Sequence, residues 1–344
     1  MRFELTPDQI DLRDAVRVLL GDLCTPDAVR GAWDGDGRVR AAWDALVEMG
    51  VLGALVAESA GGLGMTDEDV VPLLVECGRV ALPDPVAASG YAAAAALTEI
   101  LDDPDAGGLA AEWSGRIASG AVLLPVVDAS APVAGSTTAD GFLWCGDADA
   151  VVLATPEEVD LEPLQSVDGA RQPARVTRRG GRVVATGELA RRVTSAAGER
   201  LALGAAAELV GLGEQMLDLT VAYVGERQQF GVPVGSFQAV KHQLADAALA
   251  VAFAAPLVSL AAHSLAHGDP DRARNVSMAK LRASTAARHA ASASLQCHGA
   301  IGYTVEYDLH LFMKRAWALS HEHGDPDAHR ALLRTSLGLS GVAS

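Results

Sequence analysis

Two long helical patterns meet at one short turn, and this hairpin constrains the fold more than any other feature of the chain. Apolar residues recur every three to four positions from Leu203 to Val221 and again from Val240 to Val251. Glycine and proline stand between the two patterns, and such residues end helices and form turns. The spacing therefore predicts two long helices that pack as a hairpin.

One cation, Arg227, lies in this turn beside glutamine side chains and backbone amides. A guanidinium held at the mouth of a hairpin can donate two charge-assisted hydrogen bonds at once, which suits a planar polyanion such as pyrophosphate. The alternative is a loop arginine in a surface ion pair, which is the usual state of a single arginine. The residues alone leave both interpretations open.

The turn resembles the Arg-x-x-Phe-Gly motif of the acyl-CoA dehydrogenase family, and the resemblance continues through Phe237-Gln238 to Asp246. A second segment, from Gln296 to Tyr307, resembles the Gln-x-x-Gly-x-x-Gly turn of the same family. In the family, the two segments reach across a subunit interface to hold the pyrophosphate and adenosine half of a neighbour's FAD. The resemblance implies FAD as the cofactor and the following cofactor-binding residues: Arg227, Gln229, Phe230, Phe237, Gln238, Gln296, His298, Gly299 and Gly302.

The resemblance covers about residues 3 to 338 and implies a mostly α fold with a small β domain. The expected parts are an N-terminal helical domain at 1–120, a reduced central β domain at 121–190, and a C-terminal four-helix bundle at 191–344 that carries oligomerisation. The residue patterns agree, since Thr6-Pro7-Asp8-Gln9 is a capping box that predicts a helix start. Strand-like apolar runs occupy the central stretch, namely Val122–Val127, Phe142–Trp144, Val151–Leu153 and Val183–Val184.

The central domain departs from the family in the segments that contact the flavin ring. The family has a Thr-Glu-Pro segment followed by Gly-Ser-Asp, and later a strand like Trp-Ile-Thr-Asn. This chain has Pro125–Ser136 and Phe142–Asp147 in their places. We interpret Trp144 as a core residue rather than a flavin contact, because a buried tryptophan is most often hydrophobic filling.

A second departure concerns the catalytic base. Desaturating a thioester between Cα and Cβ requires a carboxylate that accepts the α-proton. At one family position this chain has His323, with Glu322 one residue early, and at the other it has Leu201, with Glu199 two residues away. A shift of one residue on a helix rotates a side chain by about 100°. The catalytic residue is therefore left unassigned, and Glu322 is either a displaced base or a solvated carboxylate at a helix end.

Composition excludes several classes of function. The 344 residues carry a net charge of −17, which argues against sequence-independent binding to nucleic acid or to anionic lipid. We find no apolar run near the roughly 20 residues that span a bilayer and no signal-peptide pattern at Met1, so we expect a cytoplasmic protein. Cys24, Cys77, Cys145 and Cys297 are scattered, which indicates core residues rather than disulfides or a zinc site.

Four further patterns could suggest a ligand site, but each has a structural explanation or lacks a ligand. Gly61–Gly64 is typical of a tight turn with positive φ, and Gly211-Leu-Gly213 lies inside a helical pattern without a third glycine. His321, His323 and His329 lie around a Gly-Asp-Pro-Asp loop that predicts a helix cap. His263 and His267 are four residues apart but lack a third ligand nearby in the sequence, so no metal site is predicted.

Two functions follow from the resemblance. In the first, the chain is an acyl-CoA dehydrogenase that uses FAD for the α,β-desaturation of an acyl-CoA thioester, as one subunit of a heteromer or a homo-oligomer, with an electron-transfer acceptor. In the second, it is a non-catalytic partner that completes the FAD site of a second acyl-CoA dehydrogenase subunit. It resembles the shorter, degenerate subunit of heterotetrameric members of actinobacterial type, and this second function explains both departures. A non-flavin binding protein that reuses the fold is a third, more distant alternative.

Overall fold

The computed structural model describes residues 4–128, 132–147 and 149–339. Six strands lie between residues 126 and 186, helices make up most of the described chain on either side of them, and a short two-strand hairpin joins two of the long C-terminal helices. The α-helices are α1 Pro7–Leu23, α2 Pro26–Asp34, α3 Arg40–Glu48, α4 Asp67–Arg79, α5 Ala94–Thr98, α6 Gly107–Ala118, α7 Gly187–Glu226, α8 Gln238–Ala266, α9 Arg272–His298, α10 Leu309–His321 and α11 Pro326–Ser336. The strands are β1 Val126–Val127, β2 Phe142–Asp147, β3 Ala150–Ala154, β4 Val159–Pro163, β5 Ala174–Arg178, β6 Arg182–Thr186, β7 Gln228–Gln229 and β8 Val232–Pro233.

The first helix begins where the capping pattern predicts. The Thr6 side chain accepts a hydrogen bond from the backbone of Gln9, and the Gln9 side chain accepts one from the backbone of Thr6 at 2.9 Å. Both bonds satisfy amide groups that have no partner inside the helix. Gly61 and Gly64 have φ values of +86° and +61°, so the interpretation of this segment as a tight turn is confirmed.

The central sheet has four strands in the order β1-β2-β3-β6, and β4 and β5 form a separate ribbon. Most of the predicted Val122–Val127 strand is irregular, because only Val126 and Val127 pair with β2. The sequence analysis missed β4 and β5, whose charged and proline residues hide the strand pattern. Trp144 is only 9 % exposed and packs with other strand residues, which confirms that it fills the core.

The long helix α7 connects the parts of the fold. Its first half packs beneath the central sheet, and its second half packs in the bundle with α8, α9 and α10. The helix α4 lies so close to α7 that a Cβ at Gly211 would stand 2.0 Å from the carbonyl oxygen of Val75. Gly211 is therefore required for helix packing, and its predicted place inside a helix is confirmed. Of the four cysteines, three are buried and Cys297 is half-buried, and all four are free.

The helix α8 is long and apolar enough to cross a membrane by length and composition, so the statement that the chain has no such run was wrong. Its many alanines made this apolar pattern easy to miss. One such helix is weak evidence for a membrane, since core helices pass the same test. One face of α8 packs on α7 and α9, while Leu249 and Phe253 on the other face are 54 % and 66 % exposed.

Candidate functional site

The turn around Arg227 is a tight hairpin at the end of the bundle. The Arg227 N–H donates to the carbonyl of Tyr223 at 2.9 Å, and its carbonyl accepts from Val234 at 2.7 Å. The strands β7 and β8 then pair across Phe230 and Gly231, whose φ values are +54° and +80°. Two consecutive positive φ values are typical of a two-residue hairpin turn, but they are unusual for phenylalanine. The backbone at Arg227 is therefore held at both of its polar groups.

The side chains of this turn point to solvent. Arg227 is exposed, and its guanidinium makes no hydrogen bond or ion pair with any residue that the structure describes. Phe230 is 92 % exposed, and its only ring contact within the described residues is the edge of Phe237, with ring centroids 6.3 Å apart. Gln229 and Gln238 are exposed too. The alternative of an ordinary surface ion pair therefore has no support among the described residues.

The second predicted segment lies at the same end of the bundle. Gln296 is exposed in the last turn of α9, and Gly299 follows the helix with φ +65°. The ring of His298 stacks on Tyr223 of α7 with centroids 4.4 Å apart, and Tyr307 lies 4.7 Å from His298. This aromatic cluster joins the two segments, which are far apart in sequence. We call residues 227–238 and 296–305 together the bundle-end surface.

Two of the predicted cofactor-binding residues, His298 and Gly302, are buried beneath this surface instead of exposed on it. His298 is 4 % exposed, and its Nδ1 lies 2.8 Å from the carbonyl oxygen of Ser294, while burial lowers its pKa. Gly302 is buried where a Cβ would lie 3.0 Å from the Cβ of His298. The exposed part of the surface also includes apolar side chains that the sequence analysis did not single out: Ile301, Tyr303 and Val305.

Glu322 lies beside the stretch of α7 from Leu201 to Glu208, far along that helix from Arg227, and it is not a solvated helix-end carboxylate. Its side chain is 22 % exposed and forms an ion pair with Arg171, which donates to both carboxylate oxygens. Burial raises the pKa of Glu322, but the charge and hydrogen bond of Arg171, together with the charges of His323 and Arg315, hold the pKa below its ordinary value. The solvated interpretation was wrong because Arg171 comes from the segment before β5, more than a hundred residues earlier.

Glu199, the other acid near a family position, points away from Glu322. Its carboxylate pairs with Arg272 of α9 at 3.1 Å and accepts from Ser195 at 3.2 Å. Leu201, which the resemblance places at the family position, lines the same cavity as Glu322.

The sequence analysis missed a third acid, Glu208, which lies two helical turns after Leu201 on the same side of α7 and lines the same cavity. Glu208 is 8 % exposed, and burial raises its pKa to about 7 although Arg171 and Arg315 lower it. The available signal was a single charge in the otherwise apolar stretch from Leu201 to Gly213.

Further buried charged side chains form bonds that hold the segments around this cavity in place. Arg315 of α10 pairs with Asp168, and both side chains are at most 2 % exposed. Lys280 of α9 donates to the carbonyls of Leu319 at 3.0 Å and Gly324 at 3.1 Å, and burial lowers its pKa to about 8. These bonds hold the chain on both sides of Glu322. Burial also lowers the pKa of His323 to about 4, so this imidazole is neutral at pH 7.

The cavity beside Glu322 and Glu208 has a volume of about 50 Å³, which is room for a few water molecules. It shares Leu201 and His323 with a neighbouring cleft of about 640 Å³, which lies between the central strands and α7. The larger cleft falls in the size range of small-molecule sites. Polar residues on its walls include Thr194, Ser195 and Arg191.

Comparison with known proteins gives two family matches. Residues 6–102 match the N-terminal domain of acyl-CoA dehydrogenases, and residues 191–338 match the C-terminal domain. The chain is 32% identical to the acyl-CoA dehydrogenase IpdE2 of Mycobacterium tuberculosis, over 89% of each chain. It is 31% identical to IpdE2 of Mycolicibacterium smegmatis, over 92% of this chain and 94% of the relative.

Among solved structures, the ChsE4-ChsE5 complex from Mycobacterium tuberculosis contains a chain that superposes with a TM-score of 0.85 at 25% identity, over 100% of both chains. The glutaryl-coenzyme A dehydrogenase complex with glutaryl-CoA superposes with a TM-score of 0.84 at 22% identity, over 98% of this chain and 97% of that one. The second likeness concerns the fold alone.

Proposed function

We propose that this chain, which belongs to the acyl-CoA dehydrogenase family, is a non-catalytic partner subunit that completes the FAD site of a companion dehydrogenase chain. Members of the family are FAD-dependent oxidoreductases. When bound, FAD supplies the acceptor for the hydride that leaves the β-carbon of an acyl-CoA. The companion would be a second chain of the same family, and the heteromeric ChsE4-ChsE5 complex supports such an assembly.

The main support for the proposal is the contrast between the environments of Arg227 and Glu322. Arg227 has no partner among the described residues and stands exposed on a rigid turn, whereas Glu322 is held by Arg171 within the chain. A cation without a partner is free to bind an anion supplied from outside. A carboxylate whose two oxygens both accept from a guanidinium is not free to accept a proton from a substrate.

The bundle-end surface fits the pyrophosphate and adenosine half of FAD. Arg227 would pair with the pyrophosphate, because its planar fork can bind two phosphate oxygens at once. Gln238 and Gln296 offer amide donors and acceptors on the same exposed surface. The exposed rings of Phe230 and Tyr303 provide apolar area that a partner chain would cover.

The cavity beside Glu322 fits a catalytic role poorly. Proton transfer to a base is most effective when the pKa of the base lies near the working pH. The pKa of Glu322 lies below its ordinary value because of Arg171, so this carboxylate is a weak proton acceptor. The cavity of about 50 Å³ is also too small for an acyl chain.

A catalytic role of the chain's own is the second candidate function, and Glu208 is the observation that favours it. Its pKa of about 7 suits a general base. Its cavity also adjoins a cleft of about 640 Å³, which is large enough for part of an acyl-CoA. In this alternative, Glu208 would have to reach the cleft past Leu201.

Acyl-CoA oxidation by the assembled complex distinguishes the two candidates. The test variants are Glu322→Gln and Glu208→Gln, and their rates are compared with that of the wild-type complex at equal FAD content. Glu199→Gln is the control, because the Glu199 carboxylate pairs with Arg272. We expect all three complexes to keep their activity within about tenfold. Loss of a true general base costs on the order of 10² to 10⁴ in rate, so a loss of that size in the Glu322 or Glu208 variant alone would place the base on this chain.

A further inference from the structure

A pair of histidines near the end of α8 faces an acid from the first turn of α4. His263 and His267 are one helical turn apart and so project from the same side of α8, with ring centroids 4.1 Å apart. Glu68 lies against both rings, with 2.9 Å between its Oε1 and the Nδ1 of His263 and 3.9 Å between its Oε2 and the Nδ1 of His267.

The three side chains together offer one ligand atom each within 4.8 Å of one another. The sequence analysis rejected the histidine pair because no third ligand lies nearby in sequence. The fold supplies that ligand from 195 residues away. Within the described ranges, the three residues are the one group of histidine, cysteine and acidic side chains that meets this distance. The cluster around His321 and His329 does not meet it, and Asp325 there caps α11 through the Ala328 N–H at 2.8 Å.

We propose that Glu68, His263 and His267 form a binding site for a divalent transition-metal ion, with Zn²⁺ as the best match. Two imidazole nitrogens and one carboxylate are a common ligand set for zinc, which completes a tetrahedral shell with a water molecule. Imidazole ligands disfavour Mg²⁺ and Ca²⁺, which prefer oxygen ligands. The site is distinct from both the bundle-end surface and the cavity beside Glu322.

Partial exposure of the three side chains suits such a site. Glu68 is 33 %, His263 27 % and His267 58 % exposed, so an ion can enter and keep water ligands without a large rearrangement. The three donors already lie close together, and zinc would draw their atoms to about 2.0–2.2 Å from a common centre. Glu4 and Gln9 line a small groove that also includes Glu68, and the whole chain carries a net charge of −17. Both features favour a cation.

The ion would connect two parts of the fold. Glu68 belongs to the N-terminal helices and the histidines belong to the bundle, so one bound ion bridges α4 and α8. A ligand that binds only the folded chain stabilises it by mass action. We therefore expect Zn²⁺ to raise the unfolding temperature of the protein, and we expect Mg²⁺ to leave it unchanged.

Zinc titration of the untagged, chelator-treated full-length protein tests the site, by calorimetry and by thermal unfolding. We expect one Zn²⁺ per chain, with an affinity that falls at least about tenfold in Glu68→Gln and in His267→Ala. Both changes are at partly exposed positions, and circular dichroism verifies that each variant is folded. His289→Ala removes an exposed histidine of α9 outside the cluster and should leave zinc affinity unchanged.

The proposal is overturned if the wild-type protein shows no stoichiometric zinc binding, or if the Glu68 and His267 variants bind zinc as tightly as the wild type. The flavin content of the mixed complex with a companion chain gives an independent readout, because none of these residues belongs to the bundle-end surface. A variant that loses zinc and keeps its flavin therefore supports the metal site whatever the outcome for the proposed function.

Discussion

The bundle-end surface and the cavity beside Glu322 both contain polar residues at or near positions that the family resemblance assigns to a site, but they differ in where those residues find partners. In the cavity, Arg171 pairs with Glu322, and Arg315 pairs with Asp168 elsewhere inside the chain. At the bundle end, Arg227 has no partner among the described residues, and Phe230 is 92 % exposed. The difference teaches that polar residues can pair inside the chain in one region and stay open to an external ligand in another. Under the proposed function, the open region is the half of a shared cofactor site that the chain keeps.

The largest expected loss in the free energy of unfolding comes from removing Arg171, in the cavity beside Glu322. Arg171→Ala leaves Glu322 without its cation in a site where Arg171 is 10 % and Glu322 is 22 % exposed. Removing one partner of a buried ion pair costs about 3 to 5 kcal/mol, and we expect the lower end of that range because water reaches part of Glu322. Urea unfolding of the purified variant measures this loss in the free energy of unfolding.

Two variants sharpen this result. Arg171→Ala with Glu322→Gln removes both charges and should recover part of the lost stability. Arg175→Ala breaks an ion pair with Glu162 in which both side chains are more than 60 % exposed, and it should change stability by less than about 1 kcal/mol. An equally small effect of Arg171→Ala would mean that the cavity is not an internal structural unit.

The next effect concerns FAD and leaves folding unchanged. Arg227→Ala should lower the FAD affinity of the assembled complex by tens to thousands of fold, since loss of one partner in a desolvated charged contact costs about 2 to 5 kcal/mol. Arg227→Lys should restore part of it, because an ammonium keeps the charge but loses the planar fork. FAD dissociation from complexes of matched oligomeric state gives the comparison.

Arg282→Ala is the matched control for Arg227. Arg282 is also exposed, and it lies on α9 fourteen residues before Gln296, or about 21 Å along the helix. FAD affinity in this variant should equal that of the wild type. Equal affinity in the Arg227→Ala complex as well would show that the exposed turn does not contact the cofactor.

The smallest expected effect is a pH dependence from Glu208. Its pKa is about 7 in the folded chain and about 4.5 when unperturbed, so the folded chain binds the proton more tightly. This carboxyl therefore favours folding below pH 4.5, and its contribution is lost as the pH rises through 7. Glu208→Gln should be more stable than the wild type at pH 8, by about 1 to 3 kcal/mol, and equally stable near pH 4.5. The opposite order at pH 8 would mean that Arg171 and Arg315 hold Glu208 ionised.

The sequence alone predicted the structural features that depend on residues close together in the chain. The capping box at Thr6, the turn at Gly61–Gly64 and the helix hairpin around Arg227 all follow from local patterns, and the structure contains each of them. The two motifs that carry the family resemblance are local as well. The structure brings them together through the stacked rings of Tyr223 and His298.

Contacts between segments far apart in the chain could not be predicted from the sequence. The alternative of a solvated helix-end carboxylate stayed open for Glu322 because its partner, Arg171, comes from before β5. Glu208 was missed because its burial depends on how α4 and α10 pack against α7. The third ligand at His263 and His267 was missed because Glu68 arrives from another helix. Charged residues in β4 and β5 hid a ribbon whose strands are defined by pairing with each other.

The flavin content of the purified chain, alone and together with a companion chain of the same family, tests the central claim most directly. Visible absorbance gives FAD per polypeptide, and size-exclusion chromatography gives the assembly. The account predicts a colourless or nearly colourless protein when the chain is purified alone, and stoichiometric FAD only in the mixed complex. One tightly bound FAD per subunit in the isolated chain, together with acyl-CoA desaturation, would contradict it.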